Sequence, residues 1–168
     1  MKATDWLKRD HELILEGLEA LTAVARKCQA GEKVSEENVQ KLVAFFREFA
    51  DEYHHHKEEK ALFPALEAGG LPPHGPVAVM LHEHDLGRRL LKQMHDSLPQ
   101  LDTDAAREYV SLLQAHIQKE NEILFRMADR LLSSAEDLAM TEMFAETEAA
   151  MKSIVQVDAH RRLFAHLR

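Results

Sequence analysis

The residues most able to do chemistry are written twice in this chain. His54-x-x-x-Glu58 and His116-x-x-x-Glu120 align without a gap, each as His, then Lys-Glu three and four residues on, then Leu-Phe. Residues four apart on a helix share a face about one turn apart. Each copy therefore offers one imidazole nitrogen and one carboxylate to a common point. Imidazole plus carboxylate with no thiolate suits Fe, Mn or Zn rather than Cu(I) or an iron–sulfur cluster.

A histidine can ligate a buried ion only if it faces inward, and at about 100° per residue that is readable from the sequence. His11 shares its stripe with Leu7, Ile14, Leu15, Leu18 and Ala25. His84 lies with Val77, Met80, Leu91 and Leu98, and His116 and Glu120 lie with Ala105, Tyr109, Leu112, Ile123 and Met127. His54 and Glu58 flank Val43, Ala50, Ala61 and Ala65. His55 falls beside Glu48, Asp51 and Glu59, and His82 beside Arg89 and Gln93, so both are expected in solvent. His55-x-x-x-Glu59 has the same spacing as the first motif; facing and the gapless self-alignment select His54 and Glu58 instead.

Six inward polar groups result: His11, His54, Glu58, His84, His116 and Glu120. Burying ionised carboxylates costs several kcal/mol unless a cation compensates. Four imidazoles and two carboxylates fit two metal ions better than one, each ion taking two histidines with Glu58 and Glu120 bridging. A ferritin-type arrangement needs Glu-x-x-His on two helices; only Glu52-x-x-His55 fits, and it points outward.

The elements that must position these groups are helical throughout. A helix capped at Thr4 or Asp5 runs to about Ala30 before Gly31; a second runs from about Glu36 to Ala68, before Gly69-Gly70. After the breaker Leu71–Pro76, a third spans about Val77 to Leu98, and a fourth, capped within 102–104, reaches about Leu132. A fifth over Ala135–Val155 and a short piece from Asp158 follow. The expected fold is all-α: an up-down-up-down four-helix bundle over residues 1–133, with 134–168 as a helical extension packed outside it. Tyr109 and Met80 read as core residues beside the site, His95 as too distant to ligate, and His160 and His166 as tail.

The formal charge of −8, with no basic tract, argues against a nucleic-acid partner. No apolar run is long enough to span a bilayer and no signal-peptide pattern opens the chain, so no membrane partner is expected. Cys28 is the only cysteine, which fits a reducing cytoplasm.

Four phrases together carry a family resemblance: Asp10-His11-Glu12, His54-His55-His56-Lys57-Glu58-Glu59 with Leu62-Phe63-Pro64, Met80-Leu81-His82-Glu83-His84-Asp85, and His116-Ile117-Gln118-Lys119-Glu120-Asn121. Over residues 5–132 the chain resembles the hemerythrin-like, His-His-Glu cation-binding family of non-haem diiron bundles. The resemblance implies two iron ions with an oxo or hydroxo bridge, with Mn or Zn as substitutes, held at positions matching the six residues above. It also implies a small ligand, O2, peroxide or NO. One departure is informative. Oxygen carriers of the family have a fifth histidine where this chain has Met80, and they space the last pair as His-x-x-x-x-Asp. With four histidines both ions would keep an open position, which favours reactivity over carriage and stress defence or iron handling over transport. The cysteine-bearing N-terminal region of some iron–sulfur repair members has no counterpart here, so the sequence gives that role no support. A sensor or storage module without turnover, and a structural Zn or Mn bundle, are the competing classes.

Overall fold

Breakers and caps set the element boundaries. In the computed structural model, which describes residues 1–168, six helices and no strand form. Helix α1 is Ala3–Gln29, and the chain leaves it through Gly31 at φ +73°, a left-handed conformation that glycine adopts without steric cost. Helix α2 covers residues 36–68, with Ser35 Oγ accepting from the Asn38 amide at 3.2 Å. Helix α3 is Pro76–Ser97, with proline in its first turn where a missing N–H is harmless. Helix α4 covers residues 103–131, capped by Asp102 accepting from the Ala105 amide at 3.0 Å. Helix α5 is Ser134–Ala150, opened by a reciprocal Ser133–Glu136 capping box, and helix α6 is Val157–Leu167. The fifth helix thus stops five residues short of the expected Val155.

Two of the six are not plain α-helices. Helix α2 is α-helical over Glu36–Phe45, π-helical over Phe46–His55 and again over Glu58–Leu62, then α-helical over Phe63–Ala68. Helix α4 makes the same π turn at Glu120–Leu124. The wider turns show in bonds that skip five residues: His56 N–H to the Asp51 carbonyl, Phe63 to Glu58 and Phe125 to Glu120. Both copies of the sequence motif therefore carry the same backbone irregularity, beginning at the motif glutamate.

Helices α1 to α4 pack as a ring, each beside the next and α4 closing on α1. The interior is layered. A large apolar cluster holds Ile14, Phe46, Tyr53, Leu91, Tyr109 and Ile117; a smaller one holds Leu7, Leu62, Phe63, Val77, Met80, Leu124 and Phe125. Between them, at one level, lie the buried polar groups of all four helices. Helix α5 closes the smaller cluster with Met140 and Phe144, and α6 joins the larger one with Phe164 and Leu167. The terminal segment read as tail is thus docked. Phe164 lies over Gly17, where an added Cβ would sit 3.1 Å from rings of both Phe164 and Phe45, and His160 packs 4.7 Å from the Phe45 ring. No helix is long and apolar enough to cross a membrane.

Candidate metal centre

The structure brings all six sequence-predicted residues together in the polar layer. His11, His54, Glu58, His84, His116 and Glu120 are each no more than 1% exposed. It adds a seventh that sequence periodicity placed in solvent: His55, only 4% exposed, whose ring stacks on His84 at 3.8 Å and 16°. The reading of His55 as a surface residue is therefore corrected. The cause is the π-helical stretch Phe46–His55, where each residue turns the chain by less than an α-helix does. Two successive histidines can then both face the bundle interior. The same effect displaces Ile123, assigned to the inward stripe but 56% exposed, because it follows Glu120 within a π turn. His82 is exposed, as expected.

The donor atoms form two groups that share one carboxylate. His11, His54, Glu58 and Glu120 make one; His55, Glu58, His84 and His116 make the other; in each, the nearest donor atoms lie within 4.8 Å of one another. Glu120 also reaches the second group, 3.1 Å from His116 Nε2. The Glu58 oxygens stand 2.8 Å from His54 Nε2 and 3.2 Å from His84 Nε2, so its two oxygens face different groups. The earlier choice between His54/Glu58 and His55/Glu59 dissolves: His54 and His55 face different groups, Glu58 lies between them, and Glu59 stands behind His84.

These groups fit metal ions better than they fit each other. Nε2 of His11 and His54 and all four oxygens of Glu58 and Glu120 are buried without a hydrogen bond of acceptable geometry. Buried polar atoms of native proteins are almost always satisfied, so six orphans in one layer require another partner. The His84 and His116 Nε2 atoms face each other at 3.2 Å. Metal–nitrogen bonds of roughly 2.0–2.1 Å at neighbouring positions of one ion would leave two nitrogens about 3 Å apart.

Every histidine is oriented from behind through Nδ1. His54 meets Asp10 at 3.0 Å, His84 meets Glu59 at 2.7 Å, His116 meets Glu83 at 2.9 Å and His55 meets Asp51 at 3.3 Å. His11 meets the Asn121 carbonyl oxygen at 2.7 Å. Carboxylates only accept, so Nδ1 carries the proton and Nε2 is left to face the centre. The carboxylates are held in turn: Lys57 bonds Asp10 at 2.5 Å, Lys119 bonds Glu83, and Arg88 bonds both Asp51 and Glu59. Lys57 is only 2% exposed, with its ammonium over the Tyr53 ring at 4.0 Å and the α5 residue Phe144 at 5.3 Å. The motif lysines, unassigned in the sequence, thus anchor the acids that aim the motif histidines.

Without metal, protons neutralise the layer. Burial opposes charging His11 and His84, yet Glu120 and Glu58 overcome it at His11 and Glu58 and Glu59 do so at His84, holding their pKa values up at about 10 and about 9. Burial would raise Glu58, but the charge and close approach of His54, His11 and His84 keep it well below the usual carboxylate range. His55 goes the other way: burial, then the charge of His84 against it, pushes it down to about 3, leaving a neutral imidazole. A surface groove of about 570 Å³ between α3 and α4, around Leu90 and Leu112, contains none of these side chains.

Comparison with known proteins agrees with this geometry. The profile of the hemerythrin HHE cation binding domain matches residues 2–128. The "Iron-sulfur cluster repair protein YtfE" of Musicola paradisiaca (strain Ech703) is 32% identical over 139 residues, covering 74% of this chain. The chain spans 63% of that relative's length. No solved structure matches the chain. With an all-helical bundle, buried His/Glu groups that could hold metal, and a matching profile over most of its length, the chain belongs to the hemerythrin HHE cation-binding domain family.

Proposed function

We propose that the protein is a non-haem dimetal protein, with iron in both positions, that binds or reacts with O2, peroxide or NO in stress defence or iron handling. One observation carries this reading: seven buried side chains converge on two points, and four of them, His11, His54, Glu58 and Glu120, carry buried polar atoms without a hydrogen bond. His55, His84 and His116 would hold one ion and His11 and His54 the other, with Glu58 and Glu120 shared. Five histidines, not four, are then available, and His55 stands in for the histidine missing at Met80. The expectation of two histidines per ion changes accordingly: the His11/His54 position would be held by one histidine fewer than the other.

The metal would supply the redox chemistry; the chain's own groups bind, orient and seal. Nδ1 partners fix all five rings, and Phe125 and Phe63 pack beside His11 and His84 at 5.4 and 5.7 Å. These are the phenylalanines ending the two motif copies, so the repeated Leu-Phe provides a wall that keeps water from the layer. Handling of iron as cargo is a second reading, favoured by the relative's name in iron–sulfur cluster repair.

Protein purified from its own host, and characterised by elemental analysis and an optical spectrum, should contain iron and show near-ultraviolet charge-transfer bands. Oxidant in excess over protein, supplied with an external reductant, then separates the readings. Repeated consumption of peroxide or NO supports turnover, and iron transferred to an apo-acceptor supports cargo. A spectroscopically silent zinc protein inert to all three would overturn the proposal.

A further inference from the structure

The centre is built from two halves related by sequence offset. In one, Asp10-His11 of α1 faces His54…Lys57-Glu58-Glu59 of α2; in the other, Glu83-His84 of α3 faces His116…Lys119-Glu120-Asn121 of α4. The contacts repeat as well as the letters. The acid before His11 holds the ring of His54, and the acid before His84 holds the ring of His116. The residue after each shared glutamate holds the other half's histidine: Glu59 holds His84 and Asn121 holds His11. A strictly repeated centre would bind two equivalent ions.

The halves differ at four linked positions. His55 corresponds to Ile117, Asp51 to Leu113, Glu59 to Asn121, and Arg88 to Leu15. These four residues form one connected chain, His55 to Asp51 to Arg88 to Glu59. Arg88 Nε donates to both Asp51 oxygens at 2.9 and 3.1 Å, and Nη2 donates to Glu59 at 2.5 Å. Asp51 meets His55 Nδ1 and Glu59 meets His84 Nδ1. One guanidinium thus orients, through two carboxylates, two of the three histidines in the same group. A planar fork can hold two carboxylates at once, which a lysine cannot do in the same way. A carboxylate on Nδ1 also makes an imidazole a stronger donor than an amide does.

Resting on the dimetal reading, we infer that Arg88 is a positioning residue that strengthens the three-histidine ion position over the other. By clamping Asp51 and Glu59 it aims His55 and His84 at one ion and tightens that position; His11, held by a neutral amide, belongs to the looser one.

The test is anaerobic titration of the metal-free protein with Co(II), followed by optical absorption, with Zn(II) competition for the affinities. Wild-type protein should take two ions with distinct affinities. Arg88→Leu, which installs the residue of the matching half, should weaken one ion about 10- to 100-fold and leave the other unchanged. Arg88→Lys should recover only part of the loss. Asp51→Asn and Glu59→Gln should each weaken that same ion, and they keep the test decisive if the leucine variant does not fold. Equal weakening of both ions, no change, or the Asp51 and Glu59 variants acting on different ions would overturn the assignment of Arg88. Failure of the wild type to bind two ions would instead overturn the dimetal reading, and this inference with it.

Discussion

Loading the centre with metal must expel protons, and the structure sets their minimum number. His11 and His84 have folded-state pKa values of about 10 and about 9, so at pH 7 both rings carry a second proton that a metal on Nε2 must displace. Their Nδ1 protons are retained by Asn121 and Glu59. At least two protons per chain should therefore leave on full loading. Each released proton is worth about 1.4 kcal/mol per pH unit. Two of them make the joint affinity for the ion pair rise about 100-fold per unit between pH 6 and 8. The sign for the metal-free protein is opposite. Both pKa values lie above the ordinary histidine value of 6.5, so their stabilising contribution is complete below that value. It is lost as the pH rises through about 9 and 10, and metal-free protein should melt at lower temperature there while loaded protein does not. Titration calorimetry with Zn(II) in buffers of different ionisation enthalpy counts the protons directly. Release of fewer than one proton, or joint affinity independent of pH, would refute the electrostatic picture.

Other predictions follow from single contacts. His55→Ala should reduce bound metal toward one ion per chain under chelator competition, measured by elemental analysis; two tightly held ions would mean that His55 is a buried residue that ligates no metal. Asp10→Asn leaves the Lys57 ammonium buried without its anion and should cost about 3–5 kcal/mol in urea unfolding. Adding Lys57→Met to that variant should restore stability, and further loss would contradict the pairing. Phe144→Ala removes a fully buried ring and part of the cover over Lys57, so it should cost about 3–5 kcal/mol. A change under about 1 kcal/mol would mean that α5 is a loosely held appendage.

The sequence carried the helices and most of the site because both obey one rule, a period near 3.6. Capping at Ser35 and Asp102 and the Gly31 exit placed boundaries within a residue or two. His11, His84 and His116 lie on regular α-helix, so their inward facing was legible. His55 and Ile123 were misplaced for one shared reason: both lie in π-helical turns, where counting 100° per residue accumulates error. The Lys57–Asp10 and Arg88–Glu59 pairs were not legible because they join helices far apart in sequence, and charge alone names no partner. The docking of α6 was hidden too, because it depends on Gly17 leaving room for Phe164.

The central claim is that seven buried side chains hold two ions through five imidazoles. X-ray absorption on protein as purified from its host, with metal content measured on the same sample, tests it most directly. Two irons per chain are expected, with imidazole scattering from five rings divided between them. One ion per chain, or an ion surrounded by oxygen donors without imidazole, would contradict it.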